Sequence, residues 1–285
     1  MEFELLRNVT IGQYIPTDSV VHRLDPRSKV LAAILLGMAI SVAPTIVAQL
    51  MLVLVLFAIT RGAGLQVRYV LRGLLPSLRV LIFLFIIQLL FQGWREPSGQ
   101  ILIEWYWLRI TEYSLRVVAL GVLRVIEFFI LVSLLTLTTP ATQLTHGIEI
   151  LLGPLRRIGV PVHEVALMNM IALRFIPTLA EELEQIMKAQ ASRGGPIGQS
   201  RWWRPDLMAR ARIPLIVPLF LTALRRSEEL ILAMEARNYV SGAKRTRFVR
   251  LGWTVADTVT LLLMLGIYLL AWRIPWPTLN LLNFY

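Results

Sequence analysis

From Val30 to Thr60 the chain carries no charged residue, and that stretch constrains the fold more than any other feature of the sequence. The hydrocarbon core of a bilayer is about 30 Å thick and takes about 20 apolar residues per helical crossing, so a run this long predicts two spans, turning at Pro44. A third span is read from about Leu74 to Trp94, and a fourth from about Tyr113 to Leu137. A fifth runs from Gly252 to Trp272. Composition agrees: 56% of the 285 residues are hydrophobic and the mean hydropathy is +0.65, above the usage of soluble domains.

The remaining chain is organised around these spans. Gly93–Arg109 reads as a polar, Trp-rich loop whose Trp94, Trp105 and Trp107 suit a headgroup belt, with Trp253, Trp272 and Trp276 anchoring the last span. Thr138–Leu251 is helical in pattern but repeatedly charged. Its longest uncharged runs, VALMNMIAL and IPLIVPLFLTAL, are too short to cross a bilayer alone. Lys and Arg set the orientation: 24 of the 29 fall in residues 1–29, 61–79 and 138–251, which therefore share the cytoplasmic side. The expected architecture is an all-α membrane protein of about five spans. Residues 1–28 form a cytoplasmic segment, 29–137 the membrane domain, 138–250 a cytoplasmic domain of long helices, and 251–285 the last span with an external C-terminus.

Several function classes are set aside by residue content. The net charge of +11 belongs to topology-fixing loops rather than to a nucleic-acid site, because no basic stripe is interleaved with stacking aromatics. There is no cysteine, and His22, His146 and His163 lack metal-ligand spacing, so no metal site is expected. The polar N-terminus through Lys29 predicts no cleavable signal peptide. No G-x-x-x-x-G-K-[ST] occurs, and Gly194-Gly195-Pro196-Ile197-Gly198 lacks the lysine. The chain is therefore expected to hold no ATP or Mg itself.

One pattern in the charged region occurs twice. Ala189-Gln190-Ala191-Ser192-Arg193-Gly194 is followed 44 residues later by Ala233-Met234-Glu235-Ala236-Arg237-Asn238, each after an amphipathic helical stretch. Gly and Asn reach the left-handed conformation that ends a helix, so Arg193 and Arg237 are placed in last helical turns. The plain reading is that each arginine complements the negative end of a helix dipole. The sharper reading is that small neighbours let each tip enter a groove on a partner, where a planar guanidinium makes several hydrogen bonds. Duplication favours a partner present in two similar copies.

Other residues keep two readings. Arg124 and Glu127, three apart in the fourth span, are an intramembrane polar pair: a mutual ion pair or bundle-facing contact, or else a gate. Met168, Met170, Met187, Met208 and Met234 either pack a core or give an adaptable surface. Asp25-Pro26 reads as a helix cap with a first-turn proline. The break at Gly194–Pro205, with Trp202 and Trp203, reads as an interfacial loop.

Three stretches together resemble the EcfT or CbiQ-type transmembrane component of energy-coupling factor transporters. The first is Gly12-Gln13-Tyr14 with Ser19 and His22-Arg23-Leu24-Asp25-Pro26-Arg27-Ser28-Lys29. The second runs from Thr138-Thr139-Pro140 through Gly147-Ile148-Glu149, Pro154-Leu155 and Leu173-Arg174-Phe175-Ile176-Pro177 to Ser192-Arg193-Gly194. The third is Ala233-Met234-Glu235-Ala236-Arg237. The resemblance covers most of residues 12–250, with Ser192 where the family usually has Ala and Asn238 where Gly is common. It implies an ATP-driven importer built from this non-catalytic scaffold, two ABC-type ATPase subunits that bind the ATP and Mg, and a small membrane S-component that captures a vitamin or metal ion. The long cytoplasmic helices would then be coupling helices, with Ala191, Ser192, Arg193 and Gly194 meeting one ATPase and Ala236, Arg237 and Asn238 the other. It also implies a multi-pass inner-membrane location. The rivals are a conventional importer permease with one coupling loop and a secondary carrier that forms its own substrate path. A carrier would need more intramembrane polar groups than Arg116, Arg124 and Glu127.

Overall fold

The computed structural model describes residues 14–72, 74–92, 101–105, 108–194, 205–240 and 252–273. The predicted Trp94, Trp107, Trp202, Trp203 and Trp276 anchors, together with Gly12, Gln13 and most of the Gly194–Pro205 break, lie outside these residues. The described residues fall into two compact units: those up to Ile148 together with those from Gly252 onward, and those from Glu149 to Val240.

The first unit begins with a single turn, α1 (Val20–Arg23), followed by α2 (Pro26–Val42) and α3 (Ile46–Gly62). These two helices occupy the uncharged run that the sequence reading divided into two spans. Asp25 caps α2 by accepting from the Arg27 amide at 2.9 Å, with Pro26 at the first helical position. Thr45 caps α3. Then come the short α4 (Val67–Arg72), α5 (Leu74–Gln92), α6 (Glu112–Thr138) and α7 (Ala141–Leu151), with α10 (Val255–Arg273) closing the unit. The Thr111 and Ser114 hydroxyls cap α6 reciprocally with each other's amides.

Small side chains let these helices approach closely, as bilayer packing favours. Ala32 and Ala39 of α2 and its cap Ala43 are buried with Leu36, Ile40, Leu52 and Leu56, and Leu131, Met264 and Ala271 lie in the same core. Gly147 marks the tightest approach, since a Cβ there would sit 3.1 Å from Pro26 Cβ and 3.3 Å from the Arg27 amide nitrogen.

The second unit contains the 3₁₀ turn Gly153–Ile158 and two long helices, α8 (Val162–Ser192) and α9 (Pro205–Ala236), which pack together. Glu149 Oε1 lies 3.1 Å from His163 Nδ1 at the start of α8. The second amphipathic stretch is α9, which begins at Pro205 and continues through Pro214 and Pro218.

Two features depart from expectation within an all-α framework. The Trp-rich loop contains an antiparallel hairpin, β1 (Ile101–Trp105) with β2 (Leu108–Thr111). Among the described helices, α6, α8 and α10 are long and apolar enough to cross a membrane, and α8 was not among the five spans read from sequence. Arg174 breaks the uncharged run in α8, but the average over a wider stretch remains apolar. α2 and α3 have 17 residues each, about 26 Å at 1.5 Å per residue, near the short end for a crossing.

Candidate functional site

The two arginine motifs end their helices in the same way. α8 stops at Ser192, with Arg193 as its cap and Gly194 at φ +74°. α9 stops at Ala236, and Asn238 has φ +54°, the one non-glycine residue with positive φ among those described. The Arg193 amide donates to Ala189 O at 3.3 Å and the Gly194 amide to Ala191 O at 3.0 Å. At the other tip the Asn238 amide donates to Glu235 O at 2.9 Å and the Tyr239 amide to Met234 O at 3.0 Å. Left-handed closure turns the chain away sharply and leaves each preceding arginine projecting from the helix end. Ser192, Arg193, Gly194, Ala236, Arg237 and Asn238 are exposed and Ala191 is half-buried. Neither guanidinium has a hydrogen bond or ion pair among the described residues. Each tip therefore offers five unused N–H donors at the end of a long helix.

The helices that carry these tips cross at an ion pair, Arg226 Nη2 with Glu182 Oε1, which the sequence reading did not identify. Of the methionines considered, Met168 is exposed, and Met170, Met187 and Met234 are half-buried.

In the membrane unit, Arg124 and Glu127 do not form the mutual ion pair offered by one reading of the sequence. Arg124 Nη2 donates instead to Ala43 O at the end of α2, at 2.8 Å. Gln49, fully buried, donates its side-chain amide to Ile40 O at 3.0 Å and to the same Ala43 O at 3.3 Å, so the turn between α2 and α3 is held from two sides. Glu127 is fully buried, and its carboxyl oxygens have no hydrogen-bond partner among the described residues. A backbone carbonyl carries no side-chain signature, which is why the sequence could not supply Arg124's partner. Arg124→Leu is expected to lower thermal stability by about 2–4 kcal/mol, because it leaves Ala43 O with only the longer Gln49 contact and leaves a buried carboxyl without its neighbouring cation. Arg124→Leu combined with Glu127→Leu should recover part of that loss in detergent melting curves. A double variant less stable than the single one would contradict this account.

The His22–Lys29 segment ties several helix ends together. Lys29, 7% exposed, donates through Nζ to His22 O at 3.0 Å and to Thr138 O at 3.1 Å, placing a cation on the last carbonyl of α6. Burial and the adjacent Lys29 ammonium hold the His22 imidazole below its usual pKa, so near neutral pH it is uncharged. Asp257, also fully buried, joins the amino ends of α2 and α10: its Oδ1 accepts from the Asp25 amide at 2.8 Å and from Ser28 Oγ at 2.6 Å. Its Oδ2 accepts from the Thr254 amide at 2.8 Å and from Thr254 Oγ1 at 2.6 Å. Thr254 followed three residues later by Asp257 is a capping-box spacing, and that was the available sequence signal.

Comparison with known proteins covers most of the chain. Residues 17–248 match the sequence model of the CbiQ family, described as a cobalt transport protein. The chain is 41% identical over 268 residues to the energy-coupling factor transporter transmembrane protein EcfT of Heliobacterium modesticaldum, covering 93% of this chain and 97% of that one. It is 43% identical over 268 residues to the protein of the same name from Exiguobacterium sibiricum, covering 91% and 96%. With that of Bacillus subtilis it shares 36% over 259 residues, covering 89% and 93%.

Proposed function

The chain belongs to the CbiQ/EcfT family of energy-coupling factor transporter transmembrane components, and on that footing we propose that it is the scaffold through which two ATPases drive uptake of a micronutrient. In this reading Arg193, with Ala191, Ser192 and Gly194, docks on one ABC-type ATPase subunit, and Arg237, with Ala236 and Asn238, docks on the other. ATP and Mg are held by those subunits. A small membrane S-component captures the cargo, of the vitamin or metal-ion class, and the scaffold itself performs no chemistry. The N-terminus and the α8–α9 unit face the cytoplasm and the C-terminus faces outward.

One observation carries the proposal: two helix ends, closed by the same left-handed turn, each present an exposed arginine with no partner among the described residues. A guanidinium in solvent at a helix end adds about 0.3–1 kcal/mol to that helix, whereas in a partner's groove it forms several charge-assisted hydrogen bonds. A conventional permease with one coupling loop has no use for two matched tips. The reading is tested by co-expressing the tagged chain with two ABC-type ATPases and a candidate S-component, and weighing the purified complex. A four-part assembly with ATP-dependent uptake in vesicles is expected. Uptake by the chain alone, without any ATPase, would overturn it.

A further inference from the structure

Within the membrane unit, beside the Lys29 joint, lies a cavity of about 220 Å³. Ala33 and Leu36 of α2, Leu131 of α6 and Met264 of α10 give it apolar walls, and Val21 of α1 and its cap Leu24 border it. Residues 29–36 of α2 and 131–138 of α6 flank the space, and each stretch advances seven residues, about 10 Å at 1.5 Å per residue. Lys29 Nζ donates to Thr138 O, so the polar ends of the two stretches meet. The cavity is thus polar at one end and apolar along the rest.

Three polar side chains line it, Lys29, Thr138 and Thr260, and the two hydroxyls have already spent their hydrogens. Thr138 Oγ1 donates to Leu134 O at 2.7 Å and Thr260 Oγ1 to Ala256 O at 2.8 Å, each within its own helix. Lys29 Nζ carries three N–H groups and places two of them, on His22 O and on Thr138 O. The third has no hydrogen-bond acceptor among the described residues, and with Lys29 only 7% exposed, bulk water does not serve it. A water molecule needs about two to four polar partners to be held in a cavity, and the apolar walls supply none. Most of this space therefore suits an apolar guest with an oxygen at one end. Lipid tails are dry already, so the gain on entry is van der Waals contact across a void, together with an acceptor for the unmet donor.

We propose that the cavity is a binding site for one acyl chain, whose carboxylate or ester carbonyl oxygen accepts from the free N–H of Lys29 and whose tail lies along Ala33, Leu36, Leu131 and Met264. The chain packs against Val21 and Leu24 and so fastens the entry segment to α2, α6 and α10. Both ends of the cavity set the ligand class: Lys29 requires an acceptor, and the walls require hydrocarbon.

Photolabelling of the full chain in lipid nanodiscs reads the occupant directly. The probes carry a diazirine in the hydrocarbon chain: a phosphatidylcholine, a free fatty acid, and an alkyl trimethylammonium of matched length whose head offers no acceptor. Label on the buried Leu36, Leu131 and Met264 is counted by mass spectrometry against label on the exposed Ile34 and Leu262. At least one acyl probe is expected to label the buried set, and the trimethylammonium probe about tenfold less, which is what one hydrogen bond to a charged donor is worth. Ala33→Phe and Val21→Phe fill the space from different walls, and each should lower acyl labelling of the buried set about tenfold while leaving Ile34 and Leu262 unchanged. Either variant suffices where the other fails to fold. Stronger labelling by phosphatidylcholine marks a bilayer lipid as the guest, and stronger labelling by the fatty acid marks a free acid. Background labelling of the buried set by both acyl probes overturns the site, and so does labelling that neither filling variant lowers. Equal labelling by the trimethylammonium probe removes Lys29 from recognition and overturns the acyl assignment.

Discussion

Charge reversal at both helix tips, Arg193→Glu with Arg237→Glu, is expected to abolish co-purification of the chain with its ATPase subunits while leaving its abundance and membrane insertion unchanged. The second half follows from the structure: both side chains are exposed and have no partner among the described residues, so nothing in the fold depends on them. The first half follows from what a docked guanidinium contributes. Truncating an arginine anchor at the centre of an interface typically costs about 2 kcal/mol or more, roughly 30-fold in affinity, and reversal adds repulsion. Two tips on one scaffold bind by avidity, so single variants should weaken the complex and the double variant should eliminate it. Arg→Lys at either tip should also fail to restore full binding, because an ammonium lacks the planar fork. A double Glu variant that still copurifies with the ATPases and transports normally would remove these tips from the mechanism.

The helix ends and spans were legible because their signals are local. Asp25-Pro26 announces a helix start within two residues, and Arg-Gly and Arg-Asn announce helix ends within one. The uncharged run from Val30 is realised as α2 and α3, turning where Pro44 was expected to turn it. What escaped was set by distance along the chain or by chemistry that a sequence does not display. Glu182 and Arg226 are ordinary charged residues on amphipathic helices until the crossing brings them together. Arg124, read as paired with Glu127, as facing the bundle or as a gate, reaches a main-chain carbonyl 81 residues back. Hydropathy averaged along α8 also reaches the level of a crossing helix by length and composition, which a search for uncharged runs does not register. The 101–111 stretch reads as loop on Trp94, Trp105 and Trp107, which suit a headgroup belt, although Leu108-Arg109-Ile110-Thr111 alternates apolar and polar residues as a strand does.

The least visible of these long-range contacts should have one of the largest effects on stability. Asp257→Ala is expected to destabilise the chain by about 3–5 kcal/mol, because it strips the acceptor from two buried and two part-buried donors at once and opens the joint between α2 and α10. The donors are the Asp25 amide, the Ser28 hydroxyl, and the amide and hydroxyl of Thr254, and Asp257 lies 232 residues from Asp25. Asp257→Asn should cost less but still register, since an amide keeps one acceptor oxygen and turns an NH₂ group toward existing donors. Ser28→Ala removes a single donor and should cost about 1 kcal/mol. Thr260→Ala, a half-buried residue one turn further along α10 whose hydroxyl is bonded only to Ala256 O, serves as a control and should change the melting curve little. Thermal unfolding in detergent, followed by the monodisperse fraction on size exclusion, ranks these variants. If Asp257→Ala melts together with the Thr260 control, the two helices are held by apolar packing of Ala32, Leu36 and Met264, and the buried carboxylate adds nothing to the joint.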